Sequence, residues 1–200
     1  MVLSQAEVFI INRYAASELA GALLLGKKAR ETDSPYLRRM LTWHCAEEAR
    51  HGMLWYNLIN ELQIPSVPMH DEQKEGYFSK AGYVKTMVEF LAFVHCYEHR
   101  VPFHFSVHAD WTTNSRVKEL LHQLIREEDA HIDWIKKYLI GIEKTEGATV
   151  REAMVKFRAI EEETYHEDLG KIRMLGKEGI TLADALTAGL ASFTGVRPWG

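Results

Sequence analysis

The chain has 200 residues and a mass of 23.0 kDa, the size of one domain, and at that length a core can form without disulfide staples. Hydrophobic residues make up 46% and charged residues 26%, which excludes intrinsic disorder; 24 Lys and Arg against 28 Asp and Glu leave a net charge of −4, with no basic surplus for nucleic acid or an anionic membrane. Two cysteines, Cys45 and Cys96, are too few for a disulfide scaffold and fit a reducing compartment, while five prolines allow long helices and ten histidines raise the question of metal.

Met1 to Arg13 holds only the short apolar run Val8 to Ile11 and no basic leader, so no signal peptide is read there. The longest nearly apolar stretch, Leu19 to Gly26, is far shorter than the ~20 residues of a membrane span, and the expectation is a cytoplasmic protein with no membrane partner. From about Ser4 to Arg30 there is no proline, and Ile11, Tyr14, Ala15, Leu19, Ala22 and Leu25 recur at helical spacing, which predicts a first long helix. Asp33-Ser34-Pro35 caps a second helix, from about Tyr36 to Leu62. Ile64 to Lys80, with Pro65, Pro68 and Gly76, breaks the periodicity and reads as a crossover loop. A third helix is expected from about Ala81 to Trp111, with Pro102 inside it. After the turn Thr112-Thr113-Asn114-Ser115 a fourth is expected from Arg116 to about Lys144. Thr145 to Thr149 is expected as a turn before a fifth, more polar helix, Val150 to Leu175. Thr181 to Phe193 reads as a short amphipathic helical segment before a loose Gly195 to Gly200. No window alternates as a strand does. Short turns after the first and third helices, with one long connection between the second and third, describe an all-α four-helix bundle with a single crossover. The expected domain is 1–200, with the bundle at about 4–145 and a helical extension at about 150–200.

Glu48-Ala49-Arg50-His51 and Glu128-Asp129-Ala130-His131 are Glu-x-x-His motifs, whose spacing sets a carboxylate and an imidazole on one helix face. With 21 Glu and 10 His, chance gives about one such pair, yet four occur, the others being Glu119 with His122 and Glu163 with His166. Position separates them. Glu18 precedes Glu48 by 30 residues, Glu98 precedes Glu128 by 30, and the two halves are offset by 80, with midpoints Asp33 and Thr113 on the two expected turns. In each antiparallel hairpin the lone Glu and the Glu-x-x-His therefore stand at one height, ~22 Å from the turn at ~1.5 Å per residue. Glu119 also has a Glu upstream at the same distance, Glu89, but Glu119 and Glu128 differ by nine residues, which puts them on opposite helix faces. Leu121, Leu124, Ile125, Ile132 and Ile135 surround Glu128, whereas Ser115, Arg116, Gln123 and Arg126 surround Glu119, so Glu128 is the inward one. The same test places Glu98 inside with Leu91, Val94, Val101 and Phe105. It places Glu18 inside with Ile11, Tyr14, Ala15 and Ala22, and Glu48 with Leu41, Cys45 and Trp55. Four buried glutamates left ionised and uncompensated would cost several kcal/mol each. Two divalent cations would balance their charge and leave both histidines as neutral ligands.

At these residues the chain resembles the ferritin-like di-iron carboxylate superfamily, whose pattern is one Glu plus Glu-x-x-His in each half of a four-helix bundle; the resemblance spans about residues 5–145. It implies that Glu18, Glu48, His51, Glu98, Glu128 and His131 are the metal ligands and so the catalytic set, with Glu48 and Glu128 as the bridging carboxylates. Locally, Glu47-Glu48-Ala49-Arg50-His51-Gly52 is similar to the acid-Glu-x-Arg-His strings of di-iron hydroxylases and acyl-carrier-protein desaturases. The resemblance further implies two iron ions, Fe2+ and Fe3+ in turn, with manganese or a mixed Mn/Fe pair suited to the same ligands. O2 would be activated to hydroxylate, desaturate or cleave a small, largely apolar organic substrate. No flavin, haem or cluster motif is present, so electrons would come from an external reductase or ferredoxin. The superfamily's other branches are ferroxidase or iron-handling proteins and peroxide-detoxifying proteins of the rubrerythrin or manganese catalase kind. The chain lacks the Cys-x-x-Cys common in rubrerythrins, has Glu47 and Ala49 beside Glu48 where a bacterioferritin haem-binding Met would be expected, and continues about 55 residues past the fourth helix. A non-enzymatic alternative is a bundle that keeps the ligands only as a metal-stabilised core.

Several nearby residues carry two readings. His44 and His95, one turn before Glu48 and Glu98, are either hydrogen-bonded support or extra ligands. Tyr14, one turn before Glu18, either bonds a carboxylate or packs. Gly21, Ala22 and Gly52 either open a substrate pocket or let helices approach closely. Pro102 cannot donate to the Glu98 carbonyl and is expected to kink the third helix. Cys45 and Cys96 read as buried reduced thiols, and Glu161-Glu162-Glu163 with His166 as a solvated acidic face. The fifth helix and Leu182, Leu186, Leu190 and Phe193 would cover the bundle or a homodimer neighbour.

Overall fold

A computed structural model describes residues 3–67 and 76–193, with side chains through residue 189. Much of the expected crossover loop, at 68–75, lies outside the described residues, as do the Gly195 to Gly200 tail and the side chains of Leu190 and Phe193. All described secondary structure is helical: α1 (Gln5–Glu31), α2 (Pro35–Glu61), a short 3-10 helix (Tyr77–Tyr83), α3 (Met87–Trp111), α4 (Ser115–Arg173) and α5 (Gly176–Phe193). The all-α class is therefore as expected.

Helix starts follow capping chemistry. Ser4, Ser34, Thr86 and Asn114 each accept a backbone N–H of the first turn through a side-chain oxygen, satisfying donors that have no partner inside the helix. Thr86 explains one boundary: Ala81 to Tyr83 form the end of the 3-10 helix, and α3 begins only at Met87. The last segment starts at Gly176, whose φ of 82° stops α4 at little steric cost.

The chain divides into two compact units, 1–78 and 79–200. In the first, α1 packs along α2. The three-residue connection begins at Thr32, whose N–H donates to the Lys28 carbonyl (3.2 Å) and whose hydroxyl accepts from Ser34 N (3.3 Å). The second unit repeats the device 80 residues on: Thr112 N donates to the His108 carbonyl (2.8 Å), and the Thr112 hydroxyl accepts from Asn114 N (3.2 Å). The offset read from the ligands is thus repeated in the turns.

Buried positions follow a four-and-three alternation, the spacing of a stripe that stays on one helix face. On α2 it runs Leu37, Leu41, His44, Glu48, His51, Trp55, Leu58, and on α4 Val117, Leu121, Leu124, Glu128, His131, Ile135. On α1 it includes Ile11, Tyr14, Glu18, Ala22, Leu25 and Ala29, and on α3 Leu91, Val94, Glu98, Phe105 and His108. Polar residues thus occupy seam positions that apolar side chains fill elsewhere. α1 is, among the described residues, long and apolar enough by composition to cross a membrane, a test that core helices also pass; its buried face carries Glu7, Asn12 and Glu18. Asn12 also straps down the chain after α2, donating to the Pro65 carbonyl (3.0 Å) and accepting from Val67 N (3.1 Å).

α4 is two helical arms joined at Glu146, the one residue inside it with non-helical backbone (φ −126°, ψ 30°). The first arm returns antiparallel along α3 from the Thr112 turn. The second runs parallel to α3, since Phe157 stacks edge-on to Phe93, Glu161 pairs with Arg100 and Tyr165 meets His104, all in ascending order. The expected turn near 145–149 is real and narrower than the sequence suggested. α5 then covers α3: Trp111 Nε1 donates to Thr181 Oγ1 (3.2 Å), and Leu182, Ala183 and Leu186 are fully buried.

The acidic run on the second arm departs from its expected solvated character. Glu162, Glu163 and His166 are exposed, but Glu161 lies on the buried stripe with Phe157, Thr164 and Tyr165. Arg100 Nε and Nη2 donate to its two carboxylate oxygens at 2.9 and 2.7 Å, and the Tyr165 ring centroid lies 4.4 Å from the guanidinium carbon. Burial pushes the Glu161 carboxyl above its ordinary range, with Arg100 opposing that shift. Arg100→Met is expected to cost about 3–5 kcal/mol at neutral pH in denaturant melts, because it strips the counter-charge from a buried carboxylate. A carboxyl raised on folding favours the folded state below its unfolded pKa and loses that contribution as pH rises. The deficit should therefore shrink below the ordinary value of 4.5. A neutral-pH deficit under ~1 kcal/mol would contradict this assignment.

Candidate metal centre

In the first unit, α1 supplies Glu18 and α2 supplies Glu48 and His51, and all three side chains are buried. They meet because Glu18 and Glu48 are equally distant from the Thr32 turn and lie on the facing seams of a tight hairpin. His51 Nδ1 is 3.9 Å from Glu18 Oε2 and 3.9 Å from Glu48 Oε1. His44, one turn earlier on the same seam and 0% exposed, brings its Nε2 to 3.5 Å from the same Glu48 Oε1. Donors that share a first-row cation at ~2.1 Å stand roughly 3–4 Å apart, so these separations suit a metal site.

In the second unit, α3 supplies Glu98, and the first arm of α4 supplies Glu128 and His131, at 1–3% exposure. His131 Nδ1 is 3.0 Å from Glu128 Oε2, and Glu98 and His131 offer ligand atoms within 4.8 Å of one another. Each unit therefore sets one Glu plus Glu-x-x-His at buried positions, and buried Glu and His groups, in which His44, Glu48, His51, Glu98, Glu128 and His131 take part and Glu18 does not, could hold a metal ion. The mixed carboxylate and imidazole donor set fits a borderline divalent cation such as iron or manganese.

The competing Glu-x-x-His pairs separate cleanly. Glu119 is exposed and paired with Arg116, His122 is exposed, and Glu163 and His166 face solvent. Tyr14 packs, its ring centroid 4.9 Å from that of Trp55. His95 is buried, with its ring 5.9 Å from the His99 ring. α3 stays helical on both sides of Pro102, which leaves the Glu98 carbonyl without its usual helix donor. Both cysteines are free and half-buried, less enclosed than the sequence suggested, and desolvation pushes the Cys96 thiol up to about 12, consistent with an unreactive reduced thiol.

The small residues leave room for the glutamates of the facing helix. A Cβ on Gly21 would stand 3.0 Å from Glu48 Oε2, and one on Gly52 would stand 3.5 Å from the Glu18 Cβ. These glycines bring α1 and α2 close enough for the carboxylates to share a level. A shallow groove lined by Gly26, Ala29, Arg30, Arg38, Thr42 and Cys45 contains none of the ligand residues.

One contributor was passed over in the sequence although it stands inside the motif. Arg50 Nη2 lies 3.3 Å from His51 Nε2 and 2.8 Å from Glu47 Oε2. An arginine N–H can only donate, so His51 Nε2 accepts and the imidazole proton resides on Nδ1, facing Glu18 and Glu48. A neutral imidazole that binds a cation through Nδ1 carries its proton on Nε2, so metal binding there would move the proton to the far nitrogen and break the Arg50 contact. The signal in the sequence was the Arg directly beside the His, which has no counterpart in Asp129-Ala130-His131.

Gly21→Ala is expected to push the Glu48 carboxylate aside by a few tenths of an ångström and to weaken metal binding by about tenfold, with little change in melting temperature. Unchanged affinity in a metal titration would show that Gly21 serves helix packing alone. No protein-family model, curated protein or solved structure matches this chain, so the case for the centre rests on its own residues.

Proposed function

We propose that the protein is a non-haem dinuclear metal oxidoreductase in which the two half-sets serve one pair of divalent cations. The observation that carries this reading is equivalence: Glu18 and Glu98, Glu48 and Glu128, and His51 and His131 occupy buried seam positions 80 residues apart on hairpins with matching turns. This reading takes α1, α2, α3 and the first arm of α4 as the four helices of a ferritin-like bundle. Bound there, two iron ions, two manganese ions or a mixed pair would supply redox chemistry toward O2 or peroxide.

The chain's own residues would do the rest. Four carboxylates carry the charge that balances two divalent ions. Leu41 and Trp55 in the first unit, with Leu91, Leu121, Leu124 and Ile135 in the second, keep bulk water from the seams and strengthen every charge interaction there. Arg50 holds the far nitrogen of the His51 ring and would part from it when metal binding at Nδ1 moves the proton there. On the favoured reading the substrate is a small, largely apolar organic molecule. Electrons would come from an external reductase or ferredoxin, and the compartment would be the reducing cytoplasm, in keeping with two free thiols. A second reading, iron handling or peroxide removal without an organic substrate, draws support from Gly21 and Gly52. Their space is taken by ligand side chains, which suits a very small substrate.

Anaerobic loading with Fe(II), followed by exposure to O2, separates these readings. The oxidoreductase reading predicts two irons per chain and O2 consumption that a reductant sustains, with Glu48→Ala and Glu128→Ala each lowering metal content. Uptake of many irons per chain would replace it with iron storage, and unchanged metal content in both variants would overturn the site itself.

A further inference from the structure

We propose that His44 is a metal ligand in its own right, so that the first unit offers one divalent cation a complete cradle of two imidazoles and two carboxylates. The proposal rests on the dinuclear reading above and makes its two positions chemically unequal.

The internal repeat sets His44 apart. Counting 80 residues on, Glu18 maps to Glu98, Glu48 to Glu128 and His51 to His131, but His44 maps to Leu124. Leu124 is fully buried, so the second unit shows what this seam position needs for packing alone. A histidine there is also 0% exposed, and burying its ring nitrogens carries a desolvation cost that leucine avoids. The extra imidazole therefore calls for a reason that the second unit lacks.

Geometry gives one. His44 Nε2 and His51 Nδ1 approach the same oxygen, Glu48 Oε1, at 3.5 and 3.9 Å, and His51 Nδ1 is also 3.9 Å from Glu18 Oε2. His44 and His51 are seven residues apart, two helical turns, with Glu48 between them, so both rings lie on one line of α2 and flank the carboxylate. Glu48 Oε2 is turned the other way, toward the space left by Gly21. Two imidazole nitrogens thus approach one carboxylate oxygen, with the Glu18 carboxylate beside the second of them, all within the first unit. The counterpart in the second unit has one imidazole and two carboxylates at these positions. Imidazole raises preference for iron, cobalt and zinc over manganese, so the first unit should fill first and discriminate more strongly among metals.

The test uses the full-length apo chain. Co(II) titration followed by equilibrium dialysis gives stepwise affinities, and pulsed electron paramagnetic resonance with half an equivalent of Cu(II) counts the imidazoles on the first bound ion. The proposal predicts two imidazoles in the wild type and one in His44→Leu, the residue that the repeat itself uses. It also predicts loss of the first-step affinity by more than ~100-fold, beyond the ~10–100-fold that removal of an outer hydrogen-bonding partner costs. If His44→Leu does not fold, His44→Gln carries the same count. An unchanged imidazole count in a chain that binds two Co(II) would overturn this proposal and leave the dinuclear reading standing. A chain that binds one Co(II), sensitive to His44 and indifferent to Glu98→Ala and Glu128→Ala, would uphold it and overturn the dinuclear reading.

Discussion

Burying carboxylates in an apolar helix seam is the constraint on which the rest of the structure depends. Glu18, Glu48, Glu98 and Glu128 occupy positions that Leu, Trp, Val and Ile fill one or two turns away, and an ionised carboxylate there costs several kcal/mol without a matching charge. The molecule meets the same difficulty at Glu161 and answers it with a guanidinium, which grips both oxygens and stacks on Tyr165. At Glu18, Glu48 and Glu128 imidazoles of the same unit stand beside the carboxylates and bring nitrogen lone pairs to them. A donor set of that composition is matched by divalent cations, and two of them balance four carboxylates.

The internal repeat shows how such a set is held. Each hairpin turns on a threonine whose backbone N–H donates to the end of the first helix and whose hydroxyl accepts from the N–H of the capping Ser34 or Asn114. The turn fixes the register, the register sets the lone Glu level with the Glu-x-x-His, and glycines at 21 and 52 in the first unit let the two helices close on those side chains. Departures from the repeat are therefore informative. His44 stands where the repeat has Leu124, His95 where it has Ala15, and Arg50 beside one ligand histidine where Ala130 stands beside the other. The symmetric residues would provide the ligand frame of the proposed centre, and the asymmetric ones make its two halves chemically different.

Much of this was legible in the sequence because helices convert spacing into position. The 30-residue and 80-residue intervals, together with the apolar neighbours of each Glu, were enough to separate Glu128 from Glu119 and to place six residues in the interior. Boundaries set by single residues were less visible. The Thr86 cap delays α3, the positive φ of Gly176 opens α5 early, and Glu146 alone reverses α4. The Arg100–Glu161 pair was hidden for a different reason: the two residues lie 61 apart, on α3 and the second arm of α4, whose parallel pairing depends on that reversal, and a run of three acids resembles a solvated face when its partner is unknown. The role of Gly21 was equally out of reach, because a glycine in a helix signals closeness without saying what comes close. Substrate identity belongs to this last class, since it depends on helix rotations that periodicity does not specify.

The most direct test of the central claim is an anomalous-scattering map from crystals of the full chain loaded anaerobically with Mn(II) or Fe(II). Two peaks are predicted, one bonded to the Glu18, Glu48 and His51 group and the other to the Glu98, Glu128 and His131 group. Peaks confined to exposed acids such as Glu162 and Glu163, with none at either seam, would contradict the account.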